Sequence, residues 1–417
     1  MIKVSEYNKF LSYNKNKLFL EDIPLENLGE KFDTPLFCYS VSQIEHNFIK
    51  LQKAFKKVKP LICYALKANF NSNIIKILSN LGCGIDVVSN GELQKSLKNG
   101  VSNQKIVFSG VGKTHEEIKF AIKKNILSVN AESTNEITLI NDISKKLKKI
   151  TNIGVRINPD IKAKTNRKIA TGNKVNKFGI SISEFLNVIK NKNKFQNIKI
   201  SLLSVHIGSQ IKDINVYKKV LKLISKILIK LKNLKHTINC VDLGGGMGIP
   251  YFKHEKKFDF KKFGIEVSKF YRDVRIKIIF EIGRFITGNS GHIISKVIYV
   301  KKIKDRIFII IDTGMNDMAR SAIYDTFHEI IPLHKRTKKF SKKVEFVGPI
   351  CESSDTFGVY KNYPMLKEGD YVCITNCGAY GRTLSSNYNM RPLIEEVILS
   401  NKKIKTVRLR QKIEDLI

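Results

Sequence analysis

Eight short apolar runs recur between residues 61 and 284, and amphipathic, lysine-rich segments separate most of them. The apolar runs are Leu61–Leu66, Gly84–Val88, Lys105–Phe108, Ile126–Val129, Asn152–Ile157, Leu202–His206, Cys240–Leu243 and Lys277–Glu281. Segments with helical spacing include Asn71–Asn80, His115–Lys123, Thr134–Lys148 and Ile214–Lys232, and a further helix is predicted at about Val41–Val58. Eight strand-then-helix units are typical of a (β/α)8 barrel. The sequence therefore predicts a TIM-like α/β barrel over residues 36–285.

The pattern changes after Arg284, where apolar runs follow one another without helices between them. Strands are predicted at Ile286–Val300, Arg306–Ile311, Val344–Val347, Tyr371–Thr375 and Ile394–Leu399. A chain of 417 residues is too long for one ordinary hydrophobic core, which favours two domains. We therefore expect residues 286–417, joined by residues 1–35, to form an antiparallel β domain that follows the barrel.

The composition is that of a soluble globular protein, with 42% apolar and 27% charged residues. No uncharged apolar run approaches the roughly 18 residues of a transmembrane helix, and the first residues lack the apolar core of a signal peptide. The seven cysteines show no zinc-ligand spacing, although Cys373 and Cys377 come closest to it. We therefore expect a cytoplasmic protein with reduced thiols, without a membrane partner and without a metal site.

The formal net charge of +37 raises the alternative of a nucleic-acid or acidic-membrane binder. The lysines, however, are spread along the whole chain, and asparagine and isoleucine are abundant as well. Because the codons of these three residues are AT-rich, a biased genome explains the charge better than a specific nucleic-acid partner does. Only non-specific, salt-sensitive binding of polyanions is expected.

Lys67 closes the first apolar run, directly before Ala68 and Asn69. An isolated lysine at the end of a strand most often points to solvent. An ammonium group is costly to bury unless a partner or a covalent bond removes its charge. A Schiff base with an aldehyde such as pyridoxal phosphate is one such bond. The residues at the other strand ends favour this second interpretation.

The active site of a (β/α)8 barrel lies at the carboxyl ends of its strands, and suitable residues recur there. Gly244–Gly246 follow the seventh run, and backbone N–H groups without neighbouring Cβ atoms suit a phosphate, to which Ser209 and Gly283 can add donors. His206 ends the sixth run and can stack on a cofactor ring, although a lone histidine is more often a core residue. Glu281 at the eighth run can keep a pyridine nitrogen protonated, which makes the ring a stronger electron sink.

The predicted β domain carries a second group of candidate residues. Arg320 and Tyr324 stand four residues apart. Together with Arg284, the Arg320 guanidinium suggests recognition of a carboxylate. Polar or glycine-containing turns present Cys351, Glu352 and Tyr380. Each feature has a plain structural explanation when it stands alone, such as an inert thiol or a packing tyrosine.

Six motifs resemble those of the diaminopimelate decarboxylase family, in the family's order and from about Pro35 to Pro392. They are Tyr64-Ala-Leu-Lys67-Ala-Asn, His206-Ile-Gly-Ser-Gln, Gly244-Gly-Gly, Glu281-Ile-Gly-Arg, Cys351-Glu-Ser-Ser-Asp355 and Gly378-Ala-Tyr-Gly. The family belongs to the alanine-racemase-like, fold-type III pyridoxal-phosphate decarboxylases. The resemblance implies decarboxylation of meso-2,6-diaminopimelate to L-lysine and CO2, the last step of lysine biosynthesis.

The resemblance also implies roles for individual residues. Lys67 carries pyridoxal 5′-phosphate, and His206 both binds this cofactor and takes part in catalysis. The residues that bind the cofactor's phosphate and ring are Ser209, Gly244, Gly245, Gly246, Glu281, Gly283, Arg284 and Tyr380. The residues that hold the substrate are Arg284, Arg320, Tyr324, Glu352 and Tyr380. Cys351 donates a proton, and the family implies a homodimer in which the partner subunit supplies the turn with Cys351 and Glu352.

Two positions depart from the family pattern, because Ile282 and Ser321 stand where the family usually has proline. Proline at these positions fixes backbone dihedrals and does no chemistry. We therefore expect slightly looser loops, with the flanking site residues still in place.

Other functions stay open on the sequence alone. Ornithine or carboxynorspermidine decarboxylation would need the same barrel but would make less use of Arg320 with Tyr324, because those substrates lack the distal amino-acid carboxylate. An alanine racemase would need a tyrosine base where Cys351 stands. A pyridoxal-phosphate carrier would need only the barrel, and the candidate residues of the second domain would then have no purpose.

Overall fold

The structure is a computed structural model that describes residues 2–4, 7–162, 168, 171–172, 176–252 and 254–417. The chain divides into two compact units. The first comprises Met1–Asn47, Pro250–Lys256 and Arg284–Ile417, and the second comprises Phe48–Ile249 and Lys257–Gly283. The domain bounds predicted above, near residues 35 and 285, stay predictions, because a compact unit is not the same as an independently folding domain.

The second unit is a closed barrel of eight parallel strands. The strands are Leu61–Ala65, Gly84–Val87, Ile106–Phe108, Ser128–Ala131, Thr151–Arg156, Ile198–Ser204, Cys240–Asp242 and Lys277–Ile282. The first strand closes the barrel on the eighth, where Ile279 lies opposite Leu61 and Glu281 opposite Cys63. The predicted (β/α)8 architecture is confirmed, and every strand end named in the sequence lies at the carboxyl edge of this barrel.

Helices separate most of the barrel strands. They are Ser72–Asn80, Asn90–Lys98, His115–Lys123, Thr134–Lys146, Ile182–Lys190, Ile214–Asn233 and Phe260–Val274, and Val41–Ala54 precedes the first strand. Thr114 and Ser181 each form a capping box, in which the cap side chain and a glutamate three residues later exchange hydrogen bonds with the backbone. The long helix Ile214–Asn233 buries residues at three- and four-residue spacing, which is the pattern of a helix packed on a core.

The described residues of the first unit form two sheets and three short α-helices, besides the start of the helix Val41–Ala54. A four-stranded sheet comprises Ile2–Lys3, Leu11–Asn14, Lys17–Leu20 and Ile23–Pro24. A nine-stranded sheet comprises Leu36–Ser40, Gly291–Lys302, Arg306–Ile311, Ile330–Pro332, Lys343–Val347, Thr356–Tyr360, Tyr371–Ile374, Glu395–Ser400 and Lys403–Arg408. The helices are Leu25–Phe32, Arg284–Thr287 and Arg320–Tyr324. The predicted β domain is confirmed, although its larger sheet contains two parallel pairs among the antiparallel ones.

One predicted strand is wrong in its first part. The strand predicted at Ile286–Val300 begins only at Gly291, because Arg284–Thr287 forms a short helix and Gly288–Ser290 a 3-10 turn. All of these preceding residues are buried. In a segment that is buried on all sides, apolar residues recur with neither the helical nor the strand period. The sequence pattern therefore does not distinguish a helical turn from a strand here.

Three observations concern membranes, thiols and metals. In the described parts of the chain, no helix is both long enough and apolar enough to cross a membrane. All seven cysteines are free thiols, and Cys351 is the exposed one among them. The described residues contain no group of three or more His, Cys, Asp or Glu side chains that could hold a metal ion.

Candidate active site

Lys67 lies in the 3-10 turn Leu66–Ala68, directly after the first barrel strand. Its Nζ is 3.4 Å from Oδ2 of Asp86, and the Lys67 side chain is 39% exposed whereas that of Asp86 is fully buried. Burial, and then the charge of Glu281, raises the pKa of Asp86 to about 7, against the opposing charge of Lys67. Asp86 was not predicted from the sequence, although a carboxyl group inside the apolar run Gly84–Val88 was a signal for it.

Glu281 lies on the eighth strand among other buried polar groups. Ser109 donates a hydrogen bond to Glu281 Oε1 at 2.9 Å, and Asn130 donates to Ser109 Oγ at 3.1 Å. Burial, and then the charge of Asp242, raises the pKa of Glu281 to about 8, and burial raises the pKa of Asp242 to about 6. This end of the barrel therefore retains protons on buried carboxyl groups at pH values where exposed acids have released theirs.

Gly244–Gly246 form a tight loop after the seventh strand. Gly244 and Gly246 have φ angles of +63° and +89°, a conformation that favours glycine. A Cβ on Gly245 would lie 1.8 Å from the carbonyl oxygen of Glu281. The Gly244 N–H donates to Asp242 Oδ1 at 2.8 Å, and the Tyr217 hydroxyl donates to the Gly245 carbonyl at 2.7 Å. The loop packs on the neighbouring strand without room for side chains, and its backbone fits the binding of a phosphate.

His206 follows the sixth strand and contacts the glycine loop. Its Nδ1 is 3.1 Å from the Gly245 nitrogen and accepts that N–H, so a neutral imidazole carries its hydrogen on Nε2. Burial, followed by the charges of Arg156 and Lys67, lowers the pKa of His206 well below its usual value. A neutral, flat ring at this position can pack against a cofactor ring without adding charge. Ser209 lies in the loop that follows the sixth strand, and Gly283 directly follows the eighth strand.

In the first unit, Arg284 and Arg320 lie together around Tyr251. The NH1 nitrogens of Arg284 and Arg320 donate to the Tyr251 hydroxyl oxygen at 2.5 Å and 2.7 Å. The two arginines are only 6% and 3% exposed. The Arg284 guanidinium also lies 4.8 Å from the centre of the Tyr380 ring, and Tyr324 interacts with it electrostatically. Two adjacent buried cations are suited to bind an anion such as a carboxylate.

Cys351 and Glu352 lie on an exposed turn of the first unit. Hydrogen bonds from the hydroxyl groups of Tyr388 and Ser354 lower the pKa of Glu352. The Cys351 N–H donates to Asn389 Oδ1 at 3.3 Å. Among the described residues of one chain, neither Cys351 nor Glu352 makes a hydrogen bond or ion pair with the buried arginines.

The two positions that lack the family's proline are regular in structure. Ile282 is the last residue of the eighth strand. Ser321 lies in the helix Arg320–Tyr324, and its hydroxyl donates to the Thr326 carbonyl at 3.1 Å. This bond ties the start of the helix to the residues that follow it.

Comparison with known proteins identifies the family. Residues 41–288 match the pyridoxal binding domain of the pyridoxal-dependent decarboxylases. A diaminopimelate decarboxylase of Aquifex aeolicus is 39% identical over 408 residues, which cover 98% of this chain and 96% of that protein. One from Helicobacter pylori is 40% identical over 393 residues, which cover 94% of this chain and 96% of that protein.

Solved structures agree with these similarities. A crystal structure of diaminopimelate decarboxylase from Helicobacter pylori complexed with L-lysine has a TM-score of 0.89 at 38% identity, and the match covers 94% of this chain and 98% of that one. The M. jannaschii enzyme in co-complex with L-lysine has a TM-score of 0.93 at 34% identity, with 100% of this chain and 98% of that one covered. Lys67, the glycine loop and the buried Glu281 are a donor set that fits pyridoxal phosphate, which is the cofactor of this family. The chain belongs to the diaminopimelate decarboxylases, a family of pyridoxal-dependent enzymes.

Proposed function

We propose that this chain decarboxylates meso-2,6-diaminopimelate to L-lysine and CO2 with the site residues described above. The observation that carries this proposal is the pair of buried guanidinium groups of Arg284 and Arg320. Diaminopimelate has a second carboxylate that does not react and can neutralise such a pair. A substrate whose far end is only an amine would instead bring a third positive charge to the two guanidinium groups, which is unfavourable.

Lys67 is the residue that would hold the cofactor. Its amine must lose a proton before it can bond to the carbon of an aldehyde. Asp86 lies within reach of the ammonium group, and its raised pKa of about 7 makes it a stronger proton acceptor than an exposed aspartate.

Glu281 and the glycine loop would hold the ring and the phosphate. Pyridoxal phosphate, when bound, supplies an electron sink for the charge that remains on carbon after CO2 departs. Glu281 keeps a proton on its buried carboxyl and can share it with the pyridine nitrogen, while Ser109 fixes the carboxyl orientation. The N–H groups of Gly244 and Gly245 donate to Asp242 and His206, so the glycine loop would meet the phosphate through the Gly246 N–H, and the Ser209 hydroxyl can add a second donor. Neutral His206 is suited to the ring face.

We further propose a homodimer in which the exposed turn with Cys351 and Glu352 completes the site of the partner subunit. The apolar side chains beside this turn support an interface, since Tyr388 is 43% and Met390 58% exposed in one chain. The Cys351 thiol can return a proton to carbon after CO2 departs, and ionised Glu352 can bind the substrate's far ammonium group. The free thiols support a cytoplasmic location.

The test is a side-by-side assay of CO2 release from meso-diaminopimelate, ornithine, arginine and carboxynorspermidine with added pyridoxal phosphate. We expect efficient turnover of diaminopimelate alone, and an increase of about 10- to 100-fold in its KM for Arg320→Leu, which removes charge-assisted hydrogen bonds. Arg306→Leu is the matched control, because Arg306 is 42% exposed and pairs with Glu345. Faster turnover of ornithine than of diaminopimelate would overturn the proposed substrate.

A further inference from the structure

Tyr251 joins the two buried guanidinium groups of the first unit through a single atom. Its hydroxyl oxygen accepts hydrogen bonds from Arg284 and Arg320 at 2.5 Å and 2.7 Å. The Arg320 guanidinium also lies 4.9 Å from the centre of the Tyr251 ring, a cation–π distance. Tyr251 is 4% exposed, so water competes little with these contacts.

The hydrogen of this hydroxyl has no acceptor among the residues that the structure describes. A phenol oxygen offers two acceptor positions and one hydrogen, and the two arginines occupy both acceptor positions. Burial raises the pKa of Tyr251, but the charges of Arg284 and Arg320 outweigh burial and lower it below the usual tyrosine value. A more acidic hydroxyl is a stronger hydrogen-bond donor, so the group is prepared to donate to an anion.

His328 holds Arg320 in place without adding a charge. Its Nδ1 is 2.9 Å from the Thr375 carbonyl, which can only accept, so Nδ1 donates and Nε2 accepts from Arg320 NH1 at 3.0 Å. Burial, and then the charge of Arg320, lowers the pKa of His328 well below its usual value, so the ring is neutral. Both hydrogens of Arg320 NH1 are thereby used. The Nε–H of Arg320 is buried without a partner among the described residues.

We propose that Tyr251 is a third carboxylate-binding residue, which donates its hydroxyl hydrogen to the substrate carboxylate that stays on the product. It forms one site with Arg284 and Arg320, whose guanidinium groups it holds together. This inference rests on the proposed function, because it needs a substrate with an unreacting carboxylate. Tyr251 then determines specificity, since it favours ligands that keep this carboxylate over diamines of the same length.

Equilibrium binding of two ligands to the holoenzyme isolates this interaction. L-Lysine and 1,5-diaminopentane share a carbon chain and two amines, and they differ only in the carboxylate. Calorimetry of both ligands with Tyr251→Phe should show L-lysine binding weakened about 10- to 100-fold and diaminopentane binding unchanged. Tyr363→Phe is the matched control and should change neither, because Tyr363 is also buried and donates its hydroxyl hydrogen to the Ile330 carbonyl at 3.1 Å.

Three results with Tyr251→Phe would overturn the inference. Unchanged L-lysine binding would show that the hydroxyl is not used, and equal weakening of both ligands would show a general disturbance. Tighter L-lysine binding would show that Tyr251 is a phenolate that competes with the carboxylate. Failure of the proposed function is recognised separately, because the unaltered enzyme would then bind L-lysine no better than diaminopentane.

Discussion

Gly245 gives a direct test of the phosphate loop, because the space for a side chain at this position is already filled. A Cβ there would lie 1.8 Å from the carbonyl oxygen of Glu281 and 2.8 Å from its carbonyl carbon. Real Cβ contacts stay above 3.0 Å, so Gly245→Ala must move the loop away from the eighth strand by about 1.2 Å. Both contacting atoms belong to the backbone, so rotation of a side chain cannot relieve the clash.

This displacement should lower both the stability of the protein and its affinity for pyridoxal phosphate. Overpacking of a dense interior destabilises a protein by about 1–3 kcal/mol. The shift also disturbs the hydrogen bonds that the Gly245 backbone makes with His206 at 3.1 Å and Tyr217 at 2.7 Å. Misplacement of a positioning group by about 1 Å can lower a reaction rate about 100-fold, and we expect a loss of the same order in the affinity for a bound phosphate. We therefore expect Gly245→Ala to bind pyridoxal phosphate about 100-fold more weakly than the unaltered protein and to unfold at a lower urea concentration.

The assay is a titration of cofactor-depleted protein with pyridoxal phosphate, followed by the absorbance of the bound cofactor, with urea unfolding beside it. Gly91→Ala is the control, because Gly91 lies in the helix Asn90–Lys98 and the nearest atom to its Cβ position is Ser89 Oγ at 3.8 Å. It should keep the cofactor affinity and gain up to about 1 kcal/mol of stability. If Gly245→Ala kept the affinity of the unaltered protein, the assignment of this loop to the phosphate would be refuted.

Three further outcomes concern protons and subunits. In the cofactor-free chain, the pKa values of about 7, 6 and 8 for Asp86, Asp242 and Glu281 mean that the folded state binds these protons more tightly than the unfolded state. The free energy of unfolding should therefore decrease between about pH 4 and pH 8. In Asp242→Asn this decrease should be smaller, because one of the three carboxyl groups is gone. A urea midpoint that does not change with pH would contradict this expectation. Glu281→Gln should lower kcat on the order of 100-fold with little change in KM, and a change in KM alone would speak against its role at the ring. Lys67→Ala and Cys351→Ala should each be inactive. If the partner subunit supplies Cys351, a mixture of the two variants should recover about a quarter of full activity, because half of the dimers are heterodimers with one intact site each. No recovery after subunit exchange would contradict the shared site.

The barrel could be predicted from the sequence because its strands are short, apolar and separated by amphipathic helices. Each of the eight runs coincides with a strand to within a few residues. The β domain was predicted less completely, and the strand Lys403–Arg408 shows the reason. Four of its six residues are charged or polar, so no continuous apolar run marks it. Among the described strands it pairs with Glu395–Ser400 alone.

The candidate site was predictable where reactive residues close a strand, as Lys67 and Glu281 do. It was not predictable where the chemistry depends on residues that are distant in the chain. Tyr251 lies 69 residues before Arg320, and only the fold brings its hydroxyl to that guanidinium. Asp86 was not predicted for another reason. An acidic residue inside an apolar run does not indicate which cationic side chain it contacts.

If Lys67 carries the chemistry, the unaltered protein converts meso-diaminopimelate to L-lysine and Lys67→Ala does not. The measurement is the release of CO2 and L-lysine from this substrate by both proteins, with added pyridoxal phosphate. We predict equal amounts of CO2 and L-lysine from the unaltered protein, and neither product from the variant. Release of both products by Lys67→Ala at the unaltered rate, or no release by the unaltered protein with its cofactor bound, would contradict the account.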